Sequence, residues 1–249
     1  MSSLTEMNRL DSPEGSRFGT TLWELVEEAK TNYPEARDQL IRRYWYPLYV
    51  YLRRKGKPPE EARDLVQGFF ARLLTREKLG NPEGTKSRFR SFLLASLDHF
   101  AISEWRGEHD TLKRGLGIEI VPLDEGEAER NYRRESEVPI DPAAHYDRAW
   151  AQMILAEARR RLRTEWERAG AVQEFDELSS TLEGEKTDGG YGDLAQRRQV
   201  TVGAIKKAVH SLRNDFRLKV RTVLAEESHR TRAELGADDF RDFYAALGS

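Results

Sequence analysis

The sequence predicts an all-α protein made of two small helical domains joined by a flexible linker. Apolar residues recur at steps of three and four along most of the chain, which is the spacing of helices that bury one face. No region is rich in strand signals. Between residues 107 and 144 the periodicity gives way to charges, glycines and prolines, which is typical of a linker.

The composition fits two such domains and excludes several classes of protein. The 249 residues are 38% hydrophobic and 34% charged, and the net charge of -2 argues against a protein that coats nucleic acid by bulk charge. Any affinity for DNA must therefore come from local basic patches. The chain has no cysteine, which excludes disulfides and thiolate metal sites and fits a reducing cytoplasm. No apolar run approaches membrane-spanning length, so we expect a cytoplasmic protein without a membrane partner.

We predict a flexible amino terminus at residues 1–19 and a first domain of four helices at residues 20–106. Thr21 and Glu24 have the spacing of a capping box, which predicts that the first helix begins at Thr21. The other three helices are indicated by apolar stripes separated by glycine and proline. We place them at residues 35–55, from Pro59 to Leu74, and at about residues 87–106.

The helix that begins at Pro59 has the most regular pattern in the chain, so we expect it to bury one whole face. Its opposite face carries a small polar set, which forms either plain solvent surface or a docking site: Arg63, Asp64, Gln67 and Arg72. The predicted buried face consists of Ala62, Leu65, Val66, Phe69, Phe70, Leu73 and Leu74.

We predict a second helical domain at residues 145–227 and a tail at residues 228–249. A long helix at about residues 145–169 is followed by a short one around Phe175 and by a final helix pair. The tail contains a short amphipathic stretch that we expect to dock on the rest of the protein. In the last helix of the pair, the predicted buried face consists of Ile205, Ala208, Val209, Leu212 and Phe216.

Residues 191–217 have the pattern of two short helices joined by a tight turn, with cations on the second helix. Thr201 is placed to cap that second helix. A helix-turn-helix presents itself to DNA in this way, although a solvated basic helix in a bundle would share the pattern. The cationic and polar surface positions are Lys206, Lys207, His210, Ser211, Arg213, Asn214 and Arg217, with Arg197 and Arg198 near the turn.

The sequence offers no constellation of reactive groups. The five histidines are scattered without metal-ligand spacing, and Glu125, Glu127 and Glu129 lie in the predicted linker, where we expect them to be solvated. Residues 184–187 resemble a phosphate-binding loop only superficially, because the Gly-Lys step is missing and no strand precedes them. We therefore expect no catalysis, no metal and no cofactor.

Two stretches of the chain resemble a known family. YWYPLYVYLRRKGKPPEEARDLVQGFFARLL, followed by SRFRSFLLASLDHFAISEWR, resembles the amino-terminal conserved domain of bacterial RNA polymerase sigma factors of the extracytoplasmic-function group. YGDLAQRRQVTVGAIKKAVHSLRNDFR resembles their carboxy-terminal promoter-reading domain. The resemblance covers about residues 20–106 and 145–227, in the family's order and spacing.

The resemblance implies a sigma factor that binds core RNA polymerase and directs promoter recognition, DNA melting and transcription initiation. Asp64 and Gln67, with Arg63 beside them, match the Asp-Leu-Val-Gln signature that binds the coiled coil of the largest polymerase subunit. The polymerase flap and promoter DNA are further implied partners, and an anti-sigma factor is another possible regulator.

The resemblance also implies two sets of DNA contacts. The segment that captures an unstacked base of the minus-ten element on the nontemplate single strand contains Asn81, Lys86, Arg88 and Arg90, whose cations suit a single strand. The duplex minus-thirty-five element is read by the helix that carries Lys206 to Asn214, with Arg197 and Arg198 as backbone clamps.

The chain departs from the family pattern at several places. Gly68 replaces an acid that commonly follows the Asp-Leu-Val-Gln signature, and Ser211 stands where many relatives carry arginine. The linker is longer than is usual for the group. The tail beyond Glu227 is extra, and we expect it to pack on the promoter-reading domain.

Two other functions stay open on the sequence alone. A helix-turn-helix regulator that binds duplex DNA without polymerase would explain the second domain but not the first. A helical adaptor or inhibitor protein would need neither set of cations.

Overall fold

The computed structural model describes residues 28–29, 34–75, 89–105, 125–135, 141–183, 190–227 and 233–248. These ranges are predominantly helical and contain no strand, so the all-α prediction is confirmed for them. The α-helices are α1 (Pro34–Arg54), α2 (Pro59–Thr75), α3 (Phe89–Trp105), α4 (Glu125–Glu135), α5 (Pro142–Arg168), α6 (Val172–Ser179), α7 (Gly190–Arg197), α8 (Val202–Glu227) and α9 (Ala237–Gly248), with a 3-10 turn at Ser180–Glu183.

Helices α1 and α2 meet at a turn that requires glycine. Gly56 has a φ of +86°, in the left-handed region that glycine adopts without strain. Its N–H donates to the Arg53 carbonyl and the Lys57 N–H donates to the Leu52 carbonyl, both at 3.1 Å, which closes the end of α1. The apolar face predicted for α2 is buried, with Leu65 half-buried.

Gly68 lies where α2 passes close to α3. A Cβ atom added there would lie 3.0 Å from Cζ of Phe100, which is tighter than ordinary carbon contacts. Phe100 is itself buried and packs edge-on against Phe69, so its ring has little room to move. Close helix packing therefore explains why this position carries glycine where the family resemblance leads us to expect an acid.

Two apolar clusters hold the described helices together, and α5 and α8 contribute to both. The larger cluster joins α1, α2, α3 and α4 to much of α5, to the carboxy-terminal half of α8, and to α9. The smaller cluster joins the end of α5 to α6, α7 and the first half of α8. The predicted division into two domains and a linker is not confirmed, because the larger core contains residues from both sides of the predicted linker.

Helix α4 lies within residues 107–144, where we predicted a linker. Among residues 128–133, the part of the helix whose burial is described, Ala128 is buried, and polar contacts join the helix to α1. Glu129, which we expected to be solvated, accepts hydrogen bonds from the Tyr49 hydroxyl at 2.8 Å and from Arg53 at 3.1 Å. The Arg53 guanidinium also lies 4.6 Å from the centre of the Tyr132 ring. Residues 107–124 and 136–140 lie outside the described residues.

Helix α5 begins three residues before the predicted start. Asp141 accepts a hydrogen bond from the Ala143 N–H at 3.2 Å, and Pro142 occupies the first helical position, where its missing N–H costs nothing. This proline lies at the edge of the predicted linker, so the sequence pattern assigns the helix start to the linker.

A buried group of polar side chains joins α1, α5 and α8. Glu227, the last residue of α8, is 4% exposed and accepts hydrogen bonds from the Tyr44 hydroxyl and, at 3.3 Å, from Trp150 Nε1. Arg43 lies 3.6 Å from the same carboxylate. Burial raises the pKa of Glu227, because the charged carboxylate loses its water. Burial, together with the neighbouring carboxylate, raises the pKa of Tyr44.

A second set of ion pairs lies beside Glu227. Arg161 of α5 donates to both carboxylate oxygens of Glu226 at 2.6 and 2.8 Å, and to Glu157 at 2.7 Å. Burial opposes the ionisation of Glu157, but hydrogen bonds from Arg160 and Arg161 outweigh it and lower the pKa of Glu157 to about 2. We call Arg43, Tyr44, Trp150, Glu157, Arg161, Glu226 and Glu227 the junction cluster.

Part of the predicted tail forms helix α9 (Ala237–Gly248). Helix α9 packs on α5, where Phe243 meets the Trp150 ring edge-on with centroids 6.2 Å apart. Leu235, Phe243 and Ala246 are buried in this contact region. The tail therefore contributes to the larger core. The predicted amino terminus at residues 1–19 lies outside the described residues, and of the first predicted helix only Glu28 and Ala29 are described, both helical.

Candidate nucleic-acid interface

The turn between α7 and α8 is tight and contains no glycine. Gln199 has a φ of +53°, in the left-handed region, and the Val200 N–H donates to the Ala195 carbonyl at 3.0 Å, which closes the end of α7. The Thr201 hydroxyl then accepts a hydrogen bond from the Ala204 N–H at 3.1 Å and caps α8, as predicted. These contacts fix the direction in which α8 leaves the turn.

Helix α8 buries the face that the spacing predicts. Ile205, Ala208, Val209 and Leu212 are buried in the smaller cluster, and Phe216 packs against both clusters. Because these residues hold one side of α8 against the protein, the opposite side is presented to solvent. The predicted DNA contacts exposed on that side are Lys206, Lys207, His210, Ser211 and Asn214.

The two lysines are available for an external anion. Lys206 and Lys207 lie in the second turn of α8, and neither forms an ion pair with another residue of the described ranges. Their ammonium groups are therefore free to contact phosphate oxygens. Arg197, at the last residue of α7, is also exposed.

Three polar residues of α8 are linked to one another. The Asn214 Nδ2 lies 3.2 Å from the His210 Nε2, and Arg217 Nη1 donates to the Asn214 Oδ1 at 3.0 Å. Arg217, which the sequence also places on this cationic surface, lies seven residues after His210 and therefore on the same side of the helix.

Two predicted DNA contacts, Arg213 and Arg198, are half-buried and contact other residues of the protein. Arg213 is half-buried, and its Nε and Nη2 both donate to the Thr181 carbonyl, at 3.2 and 2.8 Å. Arg198 lies 2.8 Å from Glu174 and 3.7 Å from Glu177 of α6. Both arginines tie the helix pair to the preceding turn and helix, so their first role in this structure is to position α7 and α8.

Arg90 is the one predicted minus-ten contact among the described residues. Its guanidinium lies 4.1 Å from the centre of the Trp150 ring and 3.6 Å from Asp147, and its carbonyl accepts a hydrogen bond from the Tyr146 hydroxyl at 3.0 Å. The start of α3 is therefore anchored to α5 by three different contacts. The other predicted contacts in this segment, Asn81, Lys86 and Arg88, lie outside the described residues.

The polar face of α2 has the exposure that a docking site needs. Asp64 is exposed, and Arg63 and Gln67 are half-buried beside it. The apolar side of α2 is packed into the larger cluster, so the polar face is the side available to a partner.

The described ranges contain no group of three or more metal-ligating side chains placed to hold an ion. They also contain no helix both long and apolar enough to span a membrane.

Comparison with known proteins identified no relative: the chain matches no protein-family model, no curated protein and no solved structure.

Proposed function

We propose that this protein is a sigma factor, which binds core RNA polymerase and directs it to promoters. The observation that carries the proposal is the side of α8 that carries Lys206, Lys207 and Asn214, exposed after a capped, tightly closed turn. A helix held in this way can enter the major groove, with lysines on phosphate and polar side chains on base edges. The resemblance of residues 20–106 and 145–227 to the two sigma-factor domains supports core polymerase as a further binding partner.

The polymerase contact in this proposal is the polar face of α2. Asp64 and Gln67 would bind the coiled coil of the largest subunit while the opposite side of α2 stays in the core. Such a contact needs only one exposed face of a rigid helix. The two resembling segments then act as separate functional units, and the protein works in the cytoplasm, where polymerase and the chromosome are found.

The proposal is tested with purified bacterial core polymerase and a DNA template that carries a preformed bubble. A sigma factor binds the template specifically only together with polymerase. A regulator that acts alone binds duplex DNA without polymerase, and an adaptor or inhibitor binds no DNA. Polymerase-independent specific binding, or no binding at all, would therefore overturn the proposal.

The docking face is tested with Asp64→Arg in the full chain. Reversing the charge at the centre of the contact should reduce polymerase binding by at least tenfold, because it places a cation where a carboxylate is needed. Asp38→Arg on α1 is the matched control, because it makes the same charge change at another exposed position. Equal polymerase binding by the two variants would contradict the docking assignment.

A regulator that acts without polymerase is the second candidate function. The exposed cations of α8 favour it as much as they favour a sigma factor, because neither lysine requires polymerase in order to reach DNA. The two functions differ at α2, where a regulator has no use for Asp64.

A further inference from the structure

The orientation of the Asn214 amide is fixed by its neighbours. An arginine guanidinium has only donors, so the atom that faces Arg217 at 3.0 Å must be the carbonyl oxygen of Asn214. The amide nitrogen of Asn214 then faces the His210 Nε2 at 3.2 Å. In this arrangement the His210 Nε2 accepts the hydrogen bond, which corresponds to the tautomer that carries its hydrogen on Nδ1.

These two contacts leave half of the amide free. An asparagine side chain has two N–H groups and two lone pairs on its oxygen. His210 takes one N–H and Arg217 takes one lone pair, so one donor and one acceptor remain on Asn214. Adenine presents the complementary pair in the major groove, an acceptor at N7 and a donor at the N6 amino group.

Asn214 also lies on the side of α8 that is turned away from the core. Consecutive residues of a helix lie about 100° apart around its axis. The exposed polar residues between Lys206 and Arg217 therefore occupy an arc of about 140°, and Asn214 lies near the middle of that arc. The buried positions Ile205 and Leu212 lie on the opposite side. Asn214 is therefore flanked by the cations that would hold the helix against phosphates.

We infer that Asn214 reads an adenine in the duplex promoter element, and that His210 and Arg217 are positioning residues that hold its amide in the reading orientation. The inference rests on the proposed function, because it names the base that this surface selects. An amide that is already oriented loses less freedom when it pairs with a base, so discrimination improves without any new contact to DNA.

The experiment selects binding sites from a pool of random duplex DNA, using the full chain with and without core polymerase. Wild type should enrich a motif with one A·T pair whose replacement weakens binding about tenfold, which lies within the range for a bidentate contact. Asn214→Ala should lose the preference at that pair alone. His210→Ala should weaken the preference, whereas His210→Gln, which offers a carbonyl acceptor, should restore part of it. Gln39→Ala, an exposed amide on α1, is the control and should leave the motif unchanged.

The outcomes separate the inference from the proposed function. A wild-type motif that keeps its A·T preference in Asn214→Ala overturns the inference, and it leaves the proposed function intact where the motif is enriched only with polymerase. Equal preference in wild type, His210→Ala and His210→Gln overturns the positioning role of His210. A wild-type chain that enriches no motif under either condition overturns the proposed function, and the inference with it.

Discussion

Replacement of Lys206 and Lys207 by alanine should change how strongly DNA binding depends on salt. Both ammonium groups are exposed on α8 and have no ion-pair partner among the described residues, so in the proposed complex each neutralises one phosphate. Each such contact contributes about -0.9 to the slope of log K against log salt concentration. Loss of two contacts should therefore make the slope shallower by about 1.8.

The size of the effect follows from this slope. Between 50 and 200 mM salt the concentration rises fourfold, and four raised to the power 1.8 is about twelve. The affinity advantage of wild type over the double variant should thus shrink about twelvefold across that range. Fluorescence anisotropy of the full chain bound to core polymerase, on a labelled duplex of about 30 base pairs, measures both slopes.

A second double variant separates local contacts from net charge. Lys55→Ala with Lys57→Ala also removes two positive charges, but from the end of α1 and the turn after it, where the lysines pair with Asp98 and Glu61. This control should keep the wild-type slope. If both double variants shift the slope equally, only the net charge matters, and α8 is not the DNA-binding surface.

Two further predictions concern stability. Glu157→Gln should destabilise the protein by about 2 kcal/mol at pH 7. This figure follows from the lowering of the Glu157 pKa from 4.5 to about 2, at 1.36 kcal/mol per pKa unit, reduced because solvent screens part of the interaction. Because the pKa of Glu157 is lower in the folded state than in the unfolded state, this stability is present above pH 4.5 and is lost as the pH falls towards 2. Urea unfolding should therefore show that the difference in stability between variant and wild type disappears at low pH. A difference that is the same at pH 7 and pH 2.5 would refute this prediction. Gln199→Gly should raise the melting temperature by about 1–2 °C, since glycine adopts the left-handed φ at less cost, and a lower melting temperature would show that the turn is not strained.

The parts of the fold that the sequence predicts well are those that local periodicity determines. The stripe from Ala62 to Leu74 is buried almost as expected, because every member sits on one face of one helix. The cap at Thr201 is also local, since donor and acceptor lie three residues apart. These features need no knowledge of the rest of the chain.

Features that depend on distant partners could not be predicted in this way. Helix α4 has little apolar surface, and its packing relies on Arg53 and Tyr49 from about 80 residues earlier. The spacing of apolar residues cannot reveal such pairing, so the charged residues of α4 are typical of a linker when the sequence is taken alone.

Contacts with residues distant in the sequence also account for the positions of two candidate DNA contacts. Arg213 and Arg198 lie where a DNA-reading helix pair would place cations, but their partners belong to the preceding helix and turn. A side chain on the surface of one helix is available to bind DNA only if no other part of the fold contacts it.

The junction cluster fixes the carboxy-terminal end of α8, so it also determines where the opposite, cationic end of that helix lies. A helix of 26 residues is about 39 Å long, and its last residue, Glu227, is fixed between α1 and α5. A tilt of about 10° at that buried end would displace the opposite end by about 7 Å, roughly two base-pair steps of DNA. In the proposed complex with promoter DNA, the position of α8 on the DNA therefore depends on buried side chains that do not contact the DNA.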